Sequence, residues 1–161
     1  MLQRIQTVFL SLIILLMVLF CIFPVWASSP GSDGMIYQLY ALFLFKGPAE
    51  DPNAGSWIFW PYSISGILAV LVIIFAAIEI FSYKRRMKQV KFGALNSLLL
   101  AAILILSIWF ANNGAGEWTT ENPGNYSLGV FFPAAAIFLN LFANRFIRKD
   151  EELVRSMDRI R

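Results

Sequence analysis

Hydrophobic positions in this chain come in long blocks rather than in the alternation that marks a half-buried strand or a surface helix. Four blocks cover residues 8–26, 58–81, 92–111 and 128–146, each rich in Leu, Ile, Phe and Ala. A helix rises about 1.5 Å per residue, so about 20 residues cross a hydrocarbon core of roughly 30 Å. Backbone groups in lipid must be satisfied within the segment, which leaves the helix as the form for such runs. The pattern predicts an all-α membrane protein, a bundle of four transmembrane helices over about 5–26, 58–83, 92–112 and 128–147. Outer loops 27–57 and 113–127 and a tail 148–161 complete a single domain over 1–161.

Composition sharpens this. The chain is 58% apolar, above the roughly 45–50% of soluble domains, and 161 residues cannot hide that much apolar surface from water. Arg4, the first apolar run and Val25-Trp26-Ala27 before Ser28 resemble a secretory signal. The run is longer than the ~7–15 residues usual there, and Trp26 would crowd the cleaved bond, so a retained helix is expected. The single cysteine, Cys21, allows no intrachain disulfide. Histidine is absent, which removes the usual general base and the commonest metal ligand. No catalytic residue, cofactor or metal site is expected.

Charge sets the orientation. All the basic residues except Lys46 lie near the N-terminus (Arg4), in the second connection (Lys84, Arg85, Arg86, Lys88, Lys91) or after residue 144 (Arg145, Arg148, Lys149, Arg155, Arg159, Arg161). The first and third connections hold Asp33, Glu50, Asp51, Glu117 and Glu121. Short basic loops stay cytoplasmic, which predicts both termini inside and loops 27–57 and 113–127 outside. The net charge of +3 thus reports topology, and no nucleic-acid partner is expected. Trp26, Trp57, Trp60, Trp109 and Trp118, with Tyr62 and Tyr126, fall near the outer ends of the runs, as an interfacial aromatic belt does.

In the first outer loop, residues 35–45 form a Tyr- and Phe-rich run bounded by Gly34 and Gly47-Pro48, too short to span and patterned as a strand. Its backbone needs a partner, either the residues before Trp57 or Glu117-Trp118-Thr119-Thr120. The result is a small outer sheet that caps the bundle, or one that offers Tyr37, Tyr40 and Phe43 to another protein's strand.

Within the membrane blocks, Glu79, Asn96, Asn140, Asn144 and Arg145 should lie at similar depth toward the inner face. Side chains lean toward their helix N-terminus, so Glu79 and Arg145 on inward-running helices lean into the core. They are expected to pair, with Asn96 or Asn144 completing the contacts. Such a layer serves as interhelical glue or as a functional site. Gly93, Ser97 and Ala101 form a small-residue stripe for close helix packing.

The tail places Glu151 against Arg155 and Asp158 against Arg161 at helical spacing, with Leu153, Met157 and Ile160 as a narrow apolar stripe. It reads as an amphipathic helix for lipid headgroups or a partner.

Met1-Leu2-Gln3-Arg4-Ile5-Gln6-Thr7 and the closing Ala143-Asn144-Arg145-Phe146-Ile147-Arg148-Lys149-Asp150-Glu151-Glu152-Leu153-Val154-Arg155-Ser156-Met157-Asp158-Arg159-Ile160-Arg161 resemble a family of four-helix membrane proteins of Bacteroidota, domain of unknown function 4293. The resemblance covers essentially the whole chain in length and helix order. It implies a bacterial inner-membrane location and brings no catalytic residues. The loop lengths are also similar in outline to claudins, but the first loop lacks the cysteine pair that claudins carry.

Three functions are weighed. The first expectation is a non-catalytic accessory or scaffold subunit of a membrane complex, with membrane lipids and another membrane protein as partners. A small transporter or channel is the alternative, and would need a wet polar path. A lipid-modifying enzyme using Glu79 as base comes last, because no nucleophile or electrophile accompanies it.

Overall fold

The structure is a computed structural model that describes residues 2–30, 34–51, 54–82, 86–118 and 124–158, without the side chains of 2–4, 86–87, 115–118 and 151–158. Four helices, α1 (Leu2–Ile22), α2 (Ser63–Phe81), α3 (Arg86–Trp118) and α4 (Phe131–Asp158), alternate in direction. Each is long and apolar enough to cross a membrane, which marks a multi-pass membrane protein. Five short strands, β1 (Trp26–Ala27), β2 (Met35–Leu39), β3 (Leu44–Pro48), β4 (Ser56–Ile58) and β5 (Asn125–Tyr126), gather at one end.

The helix ends follow local chemistry. α1 stops at Ile22 rather than near 26, because Pro24 disfavours helical backbone at Phe23 before it. α2 begins at Ser63, after Pro61, rather than near 58. Its first four N–H groups, which have no intrahelical acceptor, go to Phe59, Pro61, Tyr62 and Ala41 carbonyls. The last of these bonds, from Gly66 to Ala41 at 2.8 Å, brings the β2–β3 turn onto the helix. A Cβ at Gly66 would collide with the Leu42 side chain and crowd the Ala41 carbonyl, so glycine eases this approach. Pro133 sits in the first turn of α4, where its missing N–H costs no bond.

The helices form a ring in which α1 and α3 each touch α2 and α4. Every helix buries one stripe at alternating three- and four-residue steps. These are Gln6, Leu10, Ile13, Met17 and Phe20 on α1, and Ser65, Ala69, Val72, Ala76 and Glu79 on α2. On α3 the stripe is Gln89, Gly93, Asn96, Leu100, Ile103, Ser107 and Phe110, and on α4 it is Pro133, Ala136, Asn140, Ala143 and Ile147. That 3.5-residue period is the seam of a supercoiled bundle. Leu12, Leu15, Val70, Ile74, Leu98, Ile105, Phe138 and Leu141 point outward and are exposed, as a lipid-bathed surface requires.

The sheet is antiparallel with order β4-β3-β2-β1-β5. The run expected as one strand over 35–45 is instead a hairpin, with Leu39 opposite Leu44 and Tyr40 N–H donating to the Phe43 carbonyl at 2.9 Å. β3 pairs with β4, which overlaps the expected stretch before Trp57 only at Ser56 and extends through Trp57 to Ile58. The second outer loop contributes Asn125–Tyr126 to the sheet rather than Glu117-Trp118, which end α3; Thr119 and Thr120 lie outside the described residues. Trp26, Tyr37, Leu39, Leu44 and Phe110 form a second core between sheet and bundle, so Trp26 is a core residue rather than part of an exposed belt.

Candidate functional site

The buried stripes stay apolar through the middle of the bundle and turn polar toward the end opposite the sheet. Glu79 is 0% exposed, at the last core position of α2. Across from it, Asn96 Nδ2 donates to Glu79 Oε1 at 3.0 Å. Gln89, two core positions earlier on α3, donates from Nε2 to the Glu79 carbonyl at 2.8 Å, so the same residue is held by side chain and backbone. On the flank facing α4, Asn140 Nδ2 donates to the Gly93 carbonyl at 2.9 Å and to Ser97 Oγ at 2.8 Å, while Ser97 Oγ donates to the Gly93 carbonyl at 3.1 Å. Gly93 permits this geometry, because a Cβ there would collide with the Asn144 amide.

Asn96, Asn140 and Asn144 therefore share this region with Glu79, as the sequence predicts, and the small stripe of Gly93 and Ser97 is used by α4 inside the bundle. Arg145 does not join. Core residues Asn140, Ala143 and Ile147 set the inward face of α4, and residue 145 stands two positions, about 200°, round the helix from Ala143. Its side chain is exposed, so the expected Glu79–Arg145 pair is not made. Glu79 is held by amides instead of a counter-ion among the described residues. Glu79 Oε2, Asn96 Oδ1, Asn140 Oδ1 and Asn144 Oδ1 are buried acceptors with no hydrogen-bond partner among the described residues.

Gln6 and Gln89 belong to the same polar end, and the sequence marks them only by their phase. Gln6 stands four residues before Leu10 on the α1 stripe, and Gln89 four before Gly93 on α3.

At the other end the docking residues separate. Tyr37 is in the middle of the sheet and buried, with Lys46 Nζ 5.4 Å from its ring centroid, so it offers nothing to a partner. Tyr40 is half-buried; its hydroxyl donates to Gln38 Oε1 at 3.0 Å, and burial raises its pKa above the ordinary phenol value. Phe43 supports rather than faces outward, its ring 4.8 Å from Tyr40, 4.7 Å from Trp57 and 6.0 Å from Phe59. The exposed aromatic surface lies on edge strand β4 and the residues after it, where Trp57 is 55%, Phe59 57% and Trp60 73% exposed. Leu153 and Met157 fall on the helical backbone of α4 with side chains outside the described residues, and Ile160 lies outside them altogether.

A family model described as a domain of unknown function (DUF4293) matches residues 2–160. The chain belongs to the DUF4293 family. Among curated proteins none matches it. For this DUF4293 chain the match covers both the polar end and the aromatic edge, so both are parts of the family's domain rather than appendages to it.

Proposed function

We propose that this DUF4293 protein is a non-catalytic accessory or scaffold subunit of a bacterial inner-membrane complex. Its termini are cytoplasmic and its sheet faces outward, a reading supported by the basic residues clustered away from the sheet. The observation that carries the proposal is β4. This strand ends the sheet, pairs only with β3 among the described strands, and presents Trp57 and Ile58 exposed, followed by Phe59 and Trp60. An unpaired edge beside large aromatics suits addition of an extended segment from another membrane protein. Phe43 and Phe45 hold Trp57 edge-on from beneath, with centroids at 4.7 and 5.1 Å, so the surface is pre-organised.

The test is purification in mild detergent followed by mass spectrometry. A stoichiometric membrane partner is expected, and it should be lost on Ile58→Lys, since an edge lysine opposes strand addition. A monodisperse protein alone would contradict the proposal.

One observation favours a second reading, a small cation-handling transporter: the unpartnered oxygens of Glu79, Asn96 and Asn140 are buried in the membrane-spanning region. Proteoliposome flux that disappears in Glu79→Leu would select it.

A further inference from the structure

A groove of about 980 Å³ runs over the outward face of α4 at the end away from the sheet, from Ala94 and Ser97 of α3 round to Phe142 and Phe146, which pack against Phe9 of α1. One part of its lining is apolar, with Ala94, Leu141, Phe142 and Phe146. Its rim is cationic, with Arg145, Arg148 and Lys149 all exposed, and no acidic residue with a described side chain lines it. Arg145 thus has a place in the molecule after all, on the opposite side of α4 from Glu79.

We infer that this groove binds one anionic phospholipid, its phosphate held by Arg145, Arg148 and Lys149 and an acyl chain lying along Ala94, Leu141 and Phe142. Three considerations converge. The groove opens on the outward surface of the bundle, where Leu141 and Phe142 are about half exposed. Arg148 and Lys149 stand at the end of the α4 span, which ends at Asp150, and Arg145 lies one turn further in; this is the depth of a phosphodiester when the acyl chains run toward the sheet. The three cations among the described lining residues complement an anionic headgroup, and a basic groove between membrane helices is a recognised form of headgroup site. Arginine also forks onto phosphate oxygens, which favours a fixed headgroup over a diffuse charge cloud. Deeper in, Ser97 and Asn144 line the same groove, so a bound lipid would reach the α3–α4 contact made by Gly93 and Asn140.

The test is native mass spectrometry of the full chain in detergent, titrated with phosphatidylglycerol or with phosphatidylcholine of the same acyl chains. One phosphatidylglycerol should be retained in preference to phosphatidylcholine. Each charge removed by Arg145→Gln, Arg148→Gln or Lys149→Gln should weaken retention about fivefold, and the triple variant should fall to the phosphatidylcholine level. Arg145→Lys, which keeps the charge but loses the fork, should lose less than Arg145→Gln and still fall short of the parent. Lys88→Gln with Lys91→Gln, at the same end but outside the groove, should leave it unchanged. Equal retention of the two lipids would overturn the proposal. So would an equal loss in the Lys88/Lys91 variant, which would mean attraction to total charge, or full displacement by millimolar glycerol phosphate, which would mean a soluble-anion site. The melting temperature of each variant should match the parent, since all the substituted side chains are exposed.

Discussion

Asn96 Nδ2 donates a 3.0 Å hydrogen bond to Glu79 Oε1 with both side chains wholly buried, and this bond joins α2 to α3 where the core stripe turns polar. If the amide is what holds the carboxyl group, Glu79→Gln should keep the acceptor and change stability by less than about 1 kcal/mol, whereas Asn96→Ala should cost about 1–3 kcal/mol by orphaning it. Replacing both by Leu should cost less than the sum of the two single Leu changes. Denaturation in detergent reads all of these.

Arg145→Ala should be nearly silent in the same assay, within about 0.5 kcal/mol, because the side chain is exposed and faces away from Glu79. A loss as large as that from Asn96→Ala would restore an ion pair to the account.

Gly93→Leu should separate α3 from α4, since a side chain there collides with Asn144 and breaks the bonds from Asn140 to the Gly93 carbonyl and Ser97. The expected loss is about 3 kcal/mol or more, the overpacking and hydrogen-bond terms together. A cysteine pair across α3 and α4, made in a Cys21→Ser background, should cross-link less efficiently in the variant.

Gly66→Val should act at the other end. It drives the β2–β3 turn off α2 by displacing Leu42 and removing the Ala41 cap. Proteolysis within loop 27–57 should speed up while the helical circular dichroism signal changes little, because the apolar stripes lie below the turn.

These contrasts also show which features were readable from sequence. Blocks of about 20 apolar residues force helices in lipid, so four helices of spanning length followed from the chain alone. The hairpin did not, because Tyr40-Ala41-Leu42-Phe43 contains none of the Gly, Asn, Asp or Pro that mark a turn. Its turn is stabilised from outside, by Gly66, which is 22 residues after Leu44. Position along the bundle was readable for Glu79 and Asn96, which meet by a hydrogen bond, but direction around the helix was not. Both faces of these helices are apolar, one for the core and one for lipid, so apolarity alone does not say which face holds Arg145. The phase shows only when all four stripes are laid together, and Gln6 and Gln89 then fall into line. Trp57 and Trp60 illustrate the same ambiguity at the surface, where a membrane belt and a docking edge use the same residues.

The most direct test of the accessory-subunit account is site-specific photocross-linking in intact cells from Ile58 on β4, with Tyr126 on the opposite sheet edge as the comparison. The account predicts one protein adduct of defined mass from Ile58, with little from Tyr126, and its disappearance when Ser56→Lys places a charge on the same edge. Adducts to lipid alone from both positions, or the same adduct from both, would contradict it.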